Sequence, residues 1–140
     1  MSIRPEFASE ILRGGKQVEF RRSVVAVQIS HVVIYSTTPV QRVIGFFEVH
    51  SIDADTPRRL WSRYSAVAGI DRDRFHAYFA GCERGVAICI GSVFELTTPI
   101  AVTRLSGVKA PPQSYRYLSD TVLSFLRKAG TAPRLVAADA

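Results

Sequence analysis

The chain has 140 residues, 47% hydrophobic and 21% charged, with a formal charge of +6 and a sequence pI of about 9.8. That length makes one domain able to bury about two-thirds of its unfolded surface, so no disulfide or metal staple is required. No apolar run approaches the ~20 residues that span a bilayer. The opening "MSIRPEFASE" lacks a signal peptide's apolar core, and the expectation is a cytoplasmic protein. Two cysteines, Cys82 and Cys89, form neither a disulfide framework nor a zinc quartet. Fifteen arginines against three lysines, in runs of no more than two, permit a polyanionic partner. High-GC coding gives the same bias, so the charge alone does not establish one.

In chain order, "RPEFASEILRGG" predicts a helix with Pro5 at its first position, Glu6 in the first turn and Gly14 as stop. "QVEFRR" alternates: Val18 and Phe20 share one face, Glu19 and Arg21 the other. "HVVIYS" (31–36) has the continuous apolar character of a strand buried on both faces. "VQRVIGFFEVHSI" is a longer strand in which Gly45 marks a bulge or bend. Two helices follow, one capped by Thr56 with Pro57 behind it, the other capped by Asp71 and stopped at Gly81. "GVAICIGSVFEL" returns to strand, and "KAPPQSYRYL" is a proline-stiffened loop. A closing helix starts at Ser119 or Asp120, leaving residues 130–140 as a frayed tail behind a single domain over 1–129. Strand runs interrupted by paired helices indicate an α+β fold with a mixed or antiparallel sheet, curved or half-closed and flanked by helices.

No glycine-rich phosphate loop, dinucleotide fingerprint or nucleophile elbow occurs. His31, His50 and His76 have no ligand spacing, so neither a metal nor a cofactor is expected. Three clusters remain. The first is "GGKQVEFRR", where Gly14 and Gly15 permit close backbone approach to Lys16, and Glu19 and Arg21 lie side by side. A solvent-exposed ion pair worth ~0–1 kcal/mol and a polar pair lining a cleft are both compatible with it. In the second, Tyr35, Ser36, Thr37 and Thr38 put four hydroxyls at a strand end, where they either cap turn backbone or line a site. In the third, Gln113, Ser114 and Tyr115 follow Pro111 and Pro112. An amide, a hydroxyl and an aromatic plane on a rigid loop suit reading and stacking a base, and equally suit capping the last helix.

Taken together, "SIRPEFASEILRGGKQVEFRR", "IYSTTPVQRVIGFFEV", "ERGVAICIG" and "PPQSYRYL" resemble the ASCH-domain branch of the PUA-like superfamily, over roughly residues 2 to 118. The pairing of G-x-K-x-x-E-x-R with P-P-Q-S-[FY] carries the resemblance. It implies a small β-barrel flanked by helices, with a ligand cleft between barrel and helices. It also implies binding of RNA or a modified nucleotide, and in some members ribonuclease or cytidine-deacylating amidohydrolase activity. The cleft set it implies is Lys16, Glu19 and Arg21, with Arg22 beside them, the hydroxyls of Tyr35 and Ser36, and Gln113, Ser114 and Tyr115.

Three functions follow as expectations. In a binding module, Lys16 and Arg21 hold phosphate or a base carbonyl, Glu19 accepts from a base edge and Tyr115 stacks. In a metal-independent hydrolase on the same cleft, Glu19 is the proton acceptor. Lys16, if exposed beside Glu19, serves there as an electrostatic clamp, because the carboxylate stabilises the ammonium. In a protein-interaction module, the helix face carrying Arg58, Arg59 and Arg63 is the contact surface.

Overall fold

The computed structural model describes residues 1–23 and 28–134. The strands are β1 (Ser2–Ile3), β2 (Val18–Arg21), β3 (His31–Ser36), β4 (Arg42–Asp55), β5 (Gly85–Ile100) and β6 (Thr131–Arg134). The helices are α1 (Pro5–Arg13), α2 (Pro57–Tyr64), α3 (Arg72–Tyr78) and α4 (Asp120–Lys128), with short 3-10 turns at Ser65–Val67 and Val102–Arg104. The expected α+β class and mixed sheet are both present. The strand order is β1-β3-β4-β5-β2, with β6 on β5, and only the β1–β3 pair is parallel.

The helix ends follow the local chemistry. Thr56 accepts from the Arg59 amide at 3.3 Å and Asp71 from the Arg74 amide at 2.8 Å, each satisfying a backbone donor that has no partner within its helix. Gly14 closes α1 in the left-handed region at φ 82°. The ladder between β3 and β4 slips at Ile34/Tyr35, leaving Ile44 as an extra residue in β4. Gly45 sits at this bulge because a β-carbon there would lie 2.4 Å from the Phe94 carbonyl oxygen.

Neighbouring residues on each strand feed different cores. Ile34, Phe47, Val86 and Ile88 pack with Ile3, Ala8 and Ile11 beneath α1. On the opposite face, Tyr35, Phe46 and Leu96 pack on Val122 and Leu126 of α4, while Val18, Phe20 and Ala87 pack on Leu60 of α2, Phe75 of α3 and Phe79 just after it. The sheet is therefore covered on both sides, which is why its strands read as nearly continuous apolar runs.

Two features differ from the expectation. Among the described residues β1 and β2, at opposite ends of the strand order, share no ladder, so the barrel is not closed by backbone pairing. Instead Arg21 of β2 reaches across, its Nη2 donating to the Ser2 carbonyl at 2.8 Å. Residues 131–134, which fall within the expected tail, form β6 beside Val93–Leu96 of β5. Residues 135–140 lie outside the described part.

Candidate functional site

The turn after α1 places Lys16. The Gly15 and Lys16 amides both donate to the Glu10 carbonyl, at 3.0 and 3.1 Å. The next residue is held from two sides, the Gln17 amide donating to Val67 O at 2.9 Å and its carbonyl accepting from Ile90 at 3.0 Å. The Lys16 stem lies on Gly69, which has φ +62°, and a β-carbon at Gly69 would come within 2.5 Å of Lys16 Cβ. Lys16 is only 3% exposed. Its Nζ donates to the Ala68 carbonyl at 2.6 Å and sits 5.3 and 5.4 Å from the ring centres of Phe7 and Phe20.

Strand β2 supplies the other groups. Val18 and Phe20 point into the core under α2 and α3. Glu19 and Arg21 point to the opposite face, across from Ile88 and Val86 of the core under α1. The polar half of "QVEFRR" thus faces the interior rather than solvent. Glu19 is 8% exposed, its Oε1 4.0 Å from Arg21 Nε, and its buried Oε2 has no hydrogen-bond partner among the described residues.

These groups share a cavity of about 580 Å³. Arg4, Lys16, Arg21, Arg22 and Arg74 line it together with one carboxylate, Glu19, and the polar side chains of Thr37 and Gln113. Arg74 is fixed over the Phe7 ring at 4.8 Å and pairs with Glu6 at 2.7 Å; Arg22 lies over Tyr78 at 4.8 Å. Burial pushes the Lys16 ammonium below its ordinary value of 10.5; Glu19 opposes the drop and Arg21 adds to it. The condition attached to a lysine clamp, exposure beside Glu19, is not met: Lys16 is buried and has a weakened hold on its proton. Chemically, the cavity offers a cationic lining for an anion, an unpartnered carboxylate oxygen to accept a proton, and an ammonium able to give one up.

The remaining sequence-predicted residues divide. Tyr35 is buried in the core under α4 and Ser36 is buried at the end of β3; neither lines this cavity. Ser114 is half-buried, and its carbonyl accepts from the Ser2 amide at 2.8 Å. Tyr115 is brought not to Lys16 but to a separate cavity of about 270 Å³. Sequence reading missed Arg4, Arg74, Ala68 and Gly69. Gly69 alone carried a signal, as a glycine following the predicted helix. The Arg58–Arg59–Arg63 face is largely occupied: Arg63 pairs with Asp53 and Asp55, and Arg59 lies 3.6 Å from Asp55.

Among the described residues no group of three or more His, Cys, Asp or Glu side chains is placed to hold a metal ion, and no helix is long and apolar enough to cross a membrane.

No protein-family model matches the sequence. A Zymomonas mobilis protein named ASCH domain-containing ribonuclease is 36% identical over 122 residues, covering 84% of this chain and 82% of that protein. This chain belongs to the ASCH domain family. The crystal structure of ASCH from Zymomonas mobilis superposes with a TM-score of 0.81 at 32% identity, covering 91% of this chain and 92% of that one. A tyrosine-to-phenylalanine variant of the same protein gives 0.81 at 31% identity, over 91% and 94% of the two chains. This is the family that the G-x-K-x-x-E-x-R and P-P-Q-S-[FY] elements resembled, and the solved ASCH fold matches the mixed sheet and flanking helices described above.

Proposed function

We propose that this ASCH domain binds single-stranded RNA, with a backbone phosphate seated in the cavity between α1, β2 and α3. The supporting observation is the lining itself: five basic side chains around one buried carboxylate, three of them (Lys16, Arg22 and Arg74) held against aromatic rings. Arginine is suited to phosphate because its planar fork gives two parallel hydrogen bonds. A filter-binding or anisotropy titration with single-stranded RNA at rising salt tests it. Affinity should fall as salt rises; affinity indifferent to salt would overturn the reading.

A second reading, cleavage of the bound strand, is favoured by the environment of two groups and by the name of the Zymomonas mobilis relative. The unpartnered Oε2 of Glu19 takes the proton of a ribose 2′-hydroxyl as that oxygen attacks phosphorus. The bond from phosphorus to the 5′-oxygen breaks, and Lys16 gives its proton to the departing oxygen. The products are a 2′,3′-cyclic phosphate and a 5′-hydroxyl; all atoms and protons are accounted for without a metal. Burial helps, because an ammonium with a lowered pKa is the stronger acid at neutral pH. Incubation with end-labelled RNA in excess chelator should yield cyclic-phosphate ends. Binding without cleavage leaves the first reading alone, and release of free acid from an acylated cytidine instead assigns the same cavity to amide hydrolysis.

A further inference from the structure

The second cavity, about 270 Å³, draws lining residues from the same two segments as the first, the N-terminal residues through β1 and the chain after Pro112. These two segments are joined to each other. Ser2 donates through its hydroxyl to Pro112 O at 2.6 Å and through its amide to Ser114 O at 2.8 Å. Each segment contributes to both cavities: Met1 and Tyr115 line the smaller one, Ser2 and Gln113 the larger. Gln113 and Tyr115 are two residues apart, at most about 7 Å along an extended chain.

The smaller cavity joins an aromatic wall to polar side chains. Its volume falls just below the ~300–1,000 Å³ of sites for drug-sized ligands. Tyr115 and Tyr117 stand edge to face at its wall, with ring centres 5.8 Å apart, and Leu118 adds apolar surface. Tyr117 is 56% exposed, one of two large hydrophobic side chains left so open among the described residues. His31 also lines the cavity; its Nδ1 shares a hydrogen bond with Ser30 Oγ at 2.8 Å, and its Nε2, without a partner among the described residues, is buried from solvent. An aromatic wall beside polar side chains is what a nucleobase needs: a plane to stack on and groups near its edge.

We infer that the cavity lined by His31, Tyr115 and Tyr117 is a base subsite, which takes one splayed-out nucleobase of the strand whose phosphate lies beside Lys16. This deepens the RNA-binding reading and rests on it. The two cavities then divide recognition, the first holding backbone charge and the second a base.

The test compares a single-stranded RNA of about eight nucleotides with a ribose-phosphate oligomer of the same length carrying no bases. Tyr117→Ala should weaken RNA binding about 5- to 150-fold, leave the baseless oligomer unaffected, and be rescued by Tyr117→Trp. Tyr117 is exposed enough that its truncation leaves the core intact. Equal binding of RNA by wild type and Tyr117→Ala overturns the base subsite while leaving the phosphate cavity standing. So does equal loss for both oligomers. Free cytidine competing as well as the strand overturns the link between the cavities. A wild type that binds neither oligomer removes the parent reading, and this inference with it.

Discussion

The Lys16 ammonium hydrogen-bonds the Ala68 carbonyl, 52 residues on in the chain, at 2.6 Å. A backbone carbonyl fixes the ammonium without neutralising it, so the desolvation cost of burial is only partly offset. The domain holds this lysine in a place that favours its reactivity over its stability.

Replacing Lys16 by Met, similar in length and free of charge, relieves the buried charge but leaves the Ala68 carbonyl without its donor, so the net cost should stay within about 1–3 kcal/mol. RNA binding should weaken and any cleavage should be lost in the same protein. Urea denaturation beside an RNA titration checks both. A destabilisation of several kcal/mol would instead make Lys16 a structural element.

The same lysine sets a pH dependence. Its folded pKa lies below the ordinary 10.5, so between the two values the unfolded chain binds more protons than the folded one. Stability therefore rises with pH across that window and levels off near the ordinary value. The slope cannot exceed about 1.4 kcal/mol per pH unit from one group. Lys16→Met should flatten this rise, as measured by denaturation midpoints from neutral to alkaline pH.

Glu19→Gln keeps the shape of the side chain and removes the proton acceptor. If the strand is cleaved as proposed, turnover should drop about 10²- to 10⁴-fold while RNA affinity stays within a few-fold of wild type. Single-turnover rates and binding measured on one preparation separate the two effects. Unchanged turnover would take Glu19 out of the reaction.

Gly69→Ala tests the support beneath the site. At φ +62° any side chain is strained, and the added carbon would meet the Lys16 stem. The loss should exceed about 1 kcal/mol and carry RNA affinity down with it. Gly107→Ala serves as a control: φ is +80° there, but nothing lies within 4 Å of an added carbon, so affinity should be unaffected.

For the electrostatics, Arg22→Ala should lower the slope of log affinity against log salt by about 0.7 if Arg22 meets one phosphate of a single strand. Titrations at several salt concentrations read that slope directly.

Much of this was legible in the residues. Alternation in "QVEFRR" divided Val18 and Phe20 from Glu19 and Arg21, and Thr56 and Asp71 cap their helices as their types predict. Alternation does not say which half faces solvent, and here both faces of β2 are covered. The partners of Lys16 were out of reach for another reason. Ala68 and Gly69 meet it only through the chain reversal after α2, and a small residue's role as a carbonyl or a missing β-carbon leaves no pattern. The joint occurrence of the family elements groups Tyr115 with Lys16. Close spacing in sequence does not keep them together: Gln113 lines the cavity that holds Lys16, and Tyr115, two residues on, lines the other. β6 escaped notice because four residues with a proline carry little strand signal until β5 offers an edge.

Arg21 lines the phosphate cavity and also ties β2 to the Ser2 carbonyl, where no backbone ladder does so. Genetically, that makes it inseparable: no substitution there can report on ligand contact without also loosening a seam of the fold. Loss-of-function alleles at Arg21 will look like binding defects and behave like folding defects. Arg22, next in sequence and free of the seam, is the position at which recognition can be varied alone.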